Sequence, residues 1–274
     1  MKPLKPKRHM KIQTLAVAID QTDCALVEQL NIQTDALIGN QCGRTGTETF
    51  SFRGHQVTYL HAADRGVGKN RNRLLDHAEG DFLILADDDM RFVDGYPEIA
   101  AQAIGACADA DVYIFNLIER HPRRYVNREI ARVGRRQYAR YGAARLMLRR
   151  EAIERAGIRF SLEFGGGARY GSGEDTIFLR DCLDKGLKLY AVPYALAEIN
   201  QEAPSSWFTG YHEKFFQDKG ALYACLYPHL WPVMAVRFLL VHRKRFGGSL
   251  SLTAAARAML FGGRGYRAEK RVRR

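Results

Sequence analysis

Three consecutive aspartates, Asp87, Asp88 and Asp89, end the apolar run in DFLILADDDMRF. At about 4 Å apart, each like-charge pair costs up to roughly 4 kcal/mol near a protein surface. A hard divalent cation such as Mg²⁺ or Mn²⁺, which prefers oxygen ligands, would remove that cost. A second acidic pair, Glu174 and Asp175 in GSGEDTIFL, follows a glycine-rich stretch and opens a helical pattern. A carboxylate on such a loop, facing a metal-carboxylate strand end, suits a general base. Both clusters also have a plainer reading, because Asp is a common helix cap. Metal binding is the favoured reading of Asp87–Asp89. Taken alone, Glu174–Asp175 reads first as an N-cap beside an exposed acid.

Other motifs carry less. GVGKN (residues 66–70) lacks the first glycine of a phosphate loop, Ala63 standing there, and has Asn70 in place of Ser or Thr. Gly165–Gly167 does not follow a clear strand, which counts against a dinucleotide fingerprint. Arg65, Lys69 and Arg71 could meet a diphosphate or simply form a solvated helix face. The eight histidines show no metal-ligand spacing, and His212 reads as a surface residue before it reads as a ligand.

The elements that must position these groups follow from hydropathy. Phe82–Ala86 is short and wholly apolar, as in a strand buried on both faces, and the aspartates then fall at its carboxyl end, where open α/β sheets bind ligands. Thr14–Ile19, Ala36–Gly39 and Val112–Leu117 read as further strands, with helices over Thr22–Leu30, Lys69–Ala78 and Tyr96–Ala106. Thr47–Phe52 and Gln56–Leu60 alternate around Arg53-Gly54, predicting a hairpin. Glu119–Tyr141 is Arg-rich and irregular. Ala143–Leu148 reads as a strand, Arg150–Ala156 as a helix ended by Gly157, and Phe164–Gly173 as a flexible loop. Asp175–Lys185 reads as a helix capped by Asp175, Leu187–Val192 as a strand, and the chain beyond Asn200 as helical and basic. Alternating strands and helices indicate an α/β fold.

The net charge is +12, unevenly spread. Arg237–Arg274 holds eleven Lys or Arg and one acid; Glu119–Arg150 holds eleven Arg and two acids. That asymmetry suits a polyanionic partner: nucleic acid, an anionic membrane surface or a phosphorylated substrate. Five cysteines, without a Cys-x-x-Cys pair, argue against a disulfide framework or a zinc site and for a reducing compartment. Behind the basic N-terminus, Leu15–Ile19 is too short for a signal peptide. Leu230–Val241, broken by Pro232 and Arg237, is too short and charged to span a bilayer. The expectation is a cytoplasmic protein, soluble or peripheral at the inner membrane face.

A first α/β strand, then RGVGKNRNRLLDHAEGDFLILADDDM, then FGGGARYGSGEDTIFLRDCLDKGLKLY, resembles a family-2 glycosyltransferase of the GT-A fold over Met10–Asn200. The resemblance implies a Rossmann-like α/β domain over residues 11–200, with a mainly parallel central sheet, and leaves residues 201–274 as a helical basic extension. It implies a nucleotide-sugar donor, Mn²⁺ or Mg²⁺, and inversion at the anomeric carbon. By position, Asp87 and Asp89 look like the D-x-D pair, the first facing the ribose and the last the metal, with Asp88 between them in the donor site. Asp175, with Glu174, looks like the acid pair that deprotonates the acceptor. Ala18, Ile19, Asp20, Asn40, Gln41, Arg71 and Asn72 occupy nucleotide-pocket positions; Arg65 joins the donor-site candidates on its charge alone. The family's processive members carry Q-x-x-R-W and membrane helices, which this chain lacks, so a single transfer to a glycan or lipid-linked acceptor is implied.

Two rivals remain. A metal-carboxylate phosphotransferase would use Asp87 as nucleophile, but needs D-x-D-x-[TV] near the chain start. A nucleic-acid-binding protein would use the arginines, but leaves the aspartates unexplained and shows no recognition motif, so no specific nucleic acid is expected. The tail beyond Trp231 reads equally as an anionic-lipid surface or as packed helices with arginines outward.

Overall fold

The computed structural model describes residues 10–121, 124–200 and 210–272. The basic stretch at residues 1–9 and the start of the expected extension at 201–209 lie outside them. In chain order the strands are β1 (Ile12–Ile19), β2 (Asp35–Gln41), β3 (Gly46–Phe52), β4 (His55–Ala62), β5 (Phe82–Asp87), β6 (Met90–Phe92), β7 (Val112–Ile118), β8 (Ala131–Val133), β9 (Leu146–Arg149) and β10 (Leu189–Ile199). The helices are α1 (Ala25–Gln29), α2 (Val67–His77), α3 (Tyr96–Ala106), α4 (Arg150–Ala156), α5 (Glu174–Asp184), α6 (Glu213–Leu226), α7 (Trp231–Phe246) and α8 (Leu252–Val272). The chain divides into two compact units. One comprises Met1–Arg65, Lys69–Arg159 and Phe178–Ala203; the other comprises Gly66–Gly68, Phe160–Ile177 and Pro204–Arg274.

The first unit holds one ten-stranded sheet in the order β3-β4-β2-β1-β5-β9-β7-β10-β6, with β8 added on β10. β4, β2, β1 and β5 run parallel. The expectation of a mainly parallel sheet is corrected to a mixed one: β9 lies between β5 and β7, antiparallel to both, and β6 and β8 pair antiparallel with β10. Parallel central strands are covered on both faces, so they read as continuous apolar runs. Accordingly Phe82–Ala86 is buried throughout. Arg53 and Gly54 both take positive φ (51° and 84°), which matches the two-residue turn that closes a twisted β3–β4 hairpin. The hydroxyls of Thr14, Thr34 and Tyr96, 2.9–3.0 Å apart, tie α3 to the buried face of the sheet.

Several boundaries shift. Residues 143–145 form a 3₁₀ turn, leaving only Leu146–Arg149 as strand. The Arg-rich stretch contains β8. The last strand runs to Ile199, and α5 starts at Glu174, so Asp175 sits inside its first turn and does not cap it.

In the second unit α6, α7 and α8 pack on one another. A Cβ on Gly220 would lie 2.0 Å from the Met259 carbonyl oxygen, and one on Gly262 2.0 Å from that of Gln217. Only glycine lets the backbones of α6 and α8 approach so closely. α6 also shares a core with the glycine-rich loop, through Phe164, Tyr170, Ile177, Ala221, Leu222 and Leu226. No helix among the described residues is long and apolar enough to cross a membrane.

Candidate functional site

The parallel registers bring a set of carboxyl-terminal strand ends to one edge. Val17 stands beside Asp87, Ile19 beside Gln41, and Gln41 beside Ala62. Of the residues singled out by sequence, Ala18, Ile19, Asp20, Asn40, Gln41, Asp87, Asp88 and Asp89 all fall at or just beyond these ends. Arg71 and Asn72 come from α2. Ala18 is buried within β1, paired across from Asn40.

Asp87 is the last residue of β5, and Asp88–Asp89 form the turn into β6. The Arg71 guanidinium, 5% exposed, donates to Asp87 Oδ1 at 2.8 Å. One carboxylate therefore has a fixed cationic partner. Burial and the neighbouring Asp87 charge push Asp88 above the usual carboxylate range, while the Ile19 backbone amide partly offsets this. Asp89 is pushed up to about 6 by burial and by repulsion from Asp87 and Asp88, against an opposing pull from Arg124. Its Oδ1 is buried without a hydrogen-bond partner. A buried, unpartnered oxygen beside two further acids costs free energy unless something cationic meets it. That donor set fits Mg²⁺ or Mn²⁺, which take one or two carboxylates and fill the other positions with water and substrate phosphate. Among the described residues, no group of three or more His, Cys, Asp or Glu could hold a metal by itself.

Around these strand ends, polar side chains are bonded to backbone and to one another. Arg65 donates to both Asp20 oxygens, at 2.8 and 3.0 Å, and to the Gln41 carbonyl at 2.8 Å, so its guanidinium latches the ends of β1 and β2. Asp20 takes φ 51°, a left-handed turn directly after β1. Asn40, fully buried, accepts from the Gln21 amide at 3.0 Å and donates to the Gln21 carbonyl at 2.8 Å. Its amide nitrogen also lies 3.2 Å from His61 Nδ1. Asn40 therefore shapes the loop after β1.

Three positions escaped the sequence reading. His61 joins Asn40, Cys42 and Arg44 at the end of β4. Gln21 is the clamped residue itself. Asn70 reaches the Gly39 carbonyl at 2.6 Å, where a Cβ on Gly39 would lie 2.1 Å from the Asn70 side-chain oxygen. The signal for the last pair was present: a glycine inside a strand marks a close approach. His61 gave none, since its partners are distant in sequence. The GVGKN stretch also finds its explanation, because a Cβ on Gly68 would strike the Ser161 carbonyl.

Glu174 and Asp175 belong to the second unit, at the start of α5. The Glu174 carboxylate accepts from the Gly173 amide at 3.1 Å. Gly165 (φ 110°) leaves room for it, since a Cβ there would lie 2.9 Å from the carboxyl carbon. The Asp218 carboxylate, buried on α6, accepts from the Gly171 amide at 2.9 Å. Lys214 pairs with Asp218 and donates to the Arg169 carbonyl. His212 caps α6, its Nδ1 accepting from the Phe215 amide at 3.3 Å.

Residues 45–160 match the family model described as Glycosyl transferase family 2, a stretch that contains Arg71 and Asp87–Asp89 and stops before Glu174. No curated protein matches the chain. Among solved structures, S. aureus TarS 1-349 in complex with UDP-GlcNAc is similar at TM-score 0.57 and 17% identity, over 78% of this chain and 66% of that one. The same protein in complex with UDP aligns at TM-score 0.56 and 16% identity, over 89% and 73%. The S. aureus TarS structure without that truncation aligns at TM-score 0.54 and 15% identity, and only 39% of it is covered. The chain thus spans about two thirds of the TarS 1-349 structure with UDP-GlcNAc and well under half of the longer one. At these identities the likeness concerns the fold.

Proposed function

We propose, taking as premise that the chain is a family-2 glycosyltransferase, that it moves one sugar from a nucleotide-diphosphate donor to an acceptor hydroxyl with inversion. The observation that carries this is the Asp87–Asp89 turn: a carboxyl cluster at a parallel strand end, one acid held by Arg71 and another with a buried, unpartnered oxygen. Asp89, with Asp87 through its second oxygen, would hold Mn²⁺ or Mg²⁺. When bound, the ion neutralises charge developing on the leaving diphosphate. Arg71 orients Asp87. Asp88 lies beside them in the donor pocket, whose rim is formed by Ile19, Asp20, Asn40, Gln41, Arg65 and Asn72.

Asp175 takes the acceptor hydroxyl proton as that oxygen attacks the anomeric carbon from the face opposite the diphosphate. The new C–O bond forms as the old one breaks, and the bonding pair leaves with the diphosphate. Glu174, tied to the Gly173 amide, fixes the loop that presents Asp175. The TarS complexes with UDP and UDP-GlcNAc make uridine diphosphate the first donor nucleotide to test. The acceptor is a glycan or lipid-linked hydroxyl, met at the inner face of an anionic membrane.

Thermal unfolding with a panel of nucleoside diphosphates, with and without Mn²⁺, tests this, since a ligand that binds only the folded state raises stability by mass action. One nucleotide should raise the midpoint only when metal is present. Asp89→Ala should abolish that shift. Asp175→Asn should keep it while cutting transfer by about a hundredfold or more, as loss of a general base does. Equal loss of the shift in both variants sinks the division of roles.

A further inference from the structure

α7 buries Trp231, Ala235, Leu239 and Phe246 on one side, against a core that includes Phe216, Ala255, Ala258 and Met259. Its other side is unusual for a solvent-facing helix. Val233, Val236, Leu240 and Val241 are each more than half exposed, as is Leu230 just before the helix. From Val233 the spacing runs i, i+3, i+7, i+8, which places them on one face. Arg237 and Lys244, at i+4 and i+11, lie in the same stripe, and Arg243 and Arg245 follow at the carboxyl end. The helix contains no acid. The positive field shows in His242, held below its ordinary range by burial and then by repulsion from Arg245, Lys219 and Arg237.

We propose that this face of α7 docks on an anionic lipid bilayer, its aliphatic stripe entering the headgroup–acyl boundary and its cations meeting lipid phosphates. The proposal deepens the membrane contact stated above and rests on it; it is independent of the donor chemistry. Interfacial helices combine such a stripe with Lys and Arg and sink about 5–10 Å. A second copy of the chain fits poorly, because self-association would set four cations against four. Nucleic acid would meet the cations but leave the valines and leucine in water.

The test is co-sedimentation of the full chain with vesicles of phosphatidylcholine alone and of phosphatidylcholine and phosphatidylglycerol in equal parts. The chain should partition onto the second and little onto the first, and high salt should release it. The double variants Val233→Ser/Leu240→Ser and Arg237→Glu/Lys244→Glu should each lower partitioning by at least about tenfold. Their unfolding midpoints should hold, because exposed positions tolerate such changes. The nucleotide-dependent shift, read on the same samples, should also persist; its absence in every protein indicts the donor reading and leaves docking untouched. No sedimentation of the unaltered chain with either vesicle overturns the membrane contact. Undiminished sedimentation of both variants overturns α7 as its surface. A dimer that the serine variant dissolves, without vesicle binding, assigns the face to a second copy.

Discussion

At the scale of single residues, the Arg71–Asp87 pair ties α2 to the carboxyl end of β5. Arg71 is buried, and its removal would take from Asp87 the guanidinium it is bonded to, beside two further acids. Breaking a fully buried pair costs about 3–5 kcal/mol. Asp87 keeps some solvent contact, so Arg71→Ala should cost less than that, about 2 kcal/mol in urea unfolding. Arg71→Lys should recover part of it. The aspartates were legible because three charges cannot continue an apolar strand, and Arg71 stood out as one cation among several and, by resemblance, as a nucleotide-pocket position. Which acid it would hold was not readable, since the two are sixteen positions apart and meet only through the β5–α2 packing. Arg65 was read as a cation that could meet a diphosphate or form a solvated helix face; its bonds to Asp20 and the Gln41 carbonyl were not readable. Asn40 was read as a pocket residue, and the Gln21 backbone that both ends of its amide engage was not readable. Polar side chains advertise their chemistry in sequence, but the backbone group that consumes it is set by tertiary structure.

At the scale of elements, hydropathy located strands and helices well wherever the pattern is local. α3 and α4 fall on their expected residues, α4 ends on Gly157 in the left-handed region (φ 65°), and the Arg53-Gly54 hairpin forms. Orientation within the sheet was not local. β9 is short and apolar, and nothing in LMLR says that it will run antiparallel between β5 and β7. β8 was hidden for a different reason: its three residues centre on an exposed arginine, Arg132, and the pairing comes only from β10. The α6–α8 crossing was also invisible, although its cause is simple. Gly220 and Gly262 stand where any side chain would meet a carbonyl of the facing helix. Backbone cannot give way as a flexible side chain can, so Gly262→Val should exceed the usual overpacking cost of 1–3 kcal/mol, reaching about 3 kcal/mol or more. Calorimetry would register this as a lower midpoint, whereas Gly265→Ala, on the same helix with open space around it, should leave the midpoint nearly unchanged.

At the scale of the molecule, charge and class were readable from composition, and the division of labour was not. The basic excess was expected to serve a polyanionic partner, and on α7 it lies among aliphatic side chains that face solvent. The helices beyond residue 210 share a core with the loop that carries Glu174, so the later part of the chain shapes the presentation of the acid pair. The place of β9 between β5 and β7 has a consequence in time. During synthesis, β5 and β7 emerge well before the strand that separates and joins them. Until Leu146–Arg149 is available, each presents an open apolar edge, the kind of surface on which nascent and partly folded chains associate. Fragments ending just before Leu146 should therefore aggregate in a cell-free translation reaction, while fragments extending past Ile199 should stay in the supernatant. For this fold, the interval between those two lengths is the exposure that chaperones must cover.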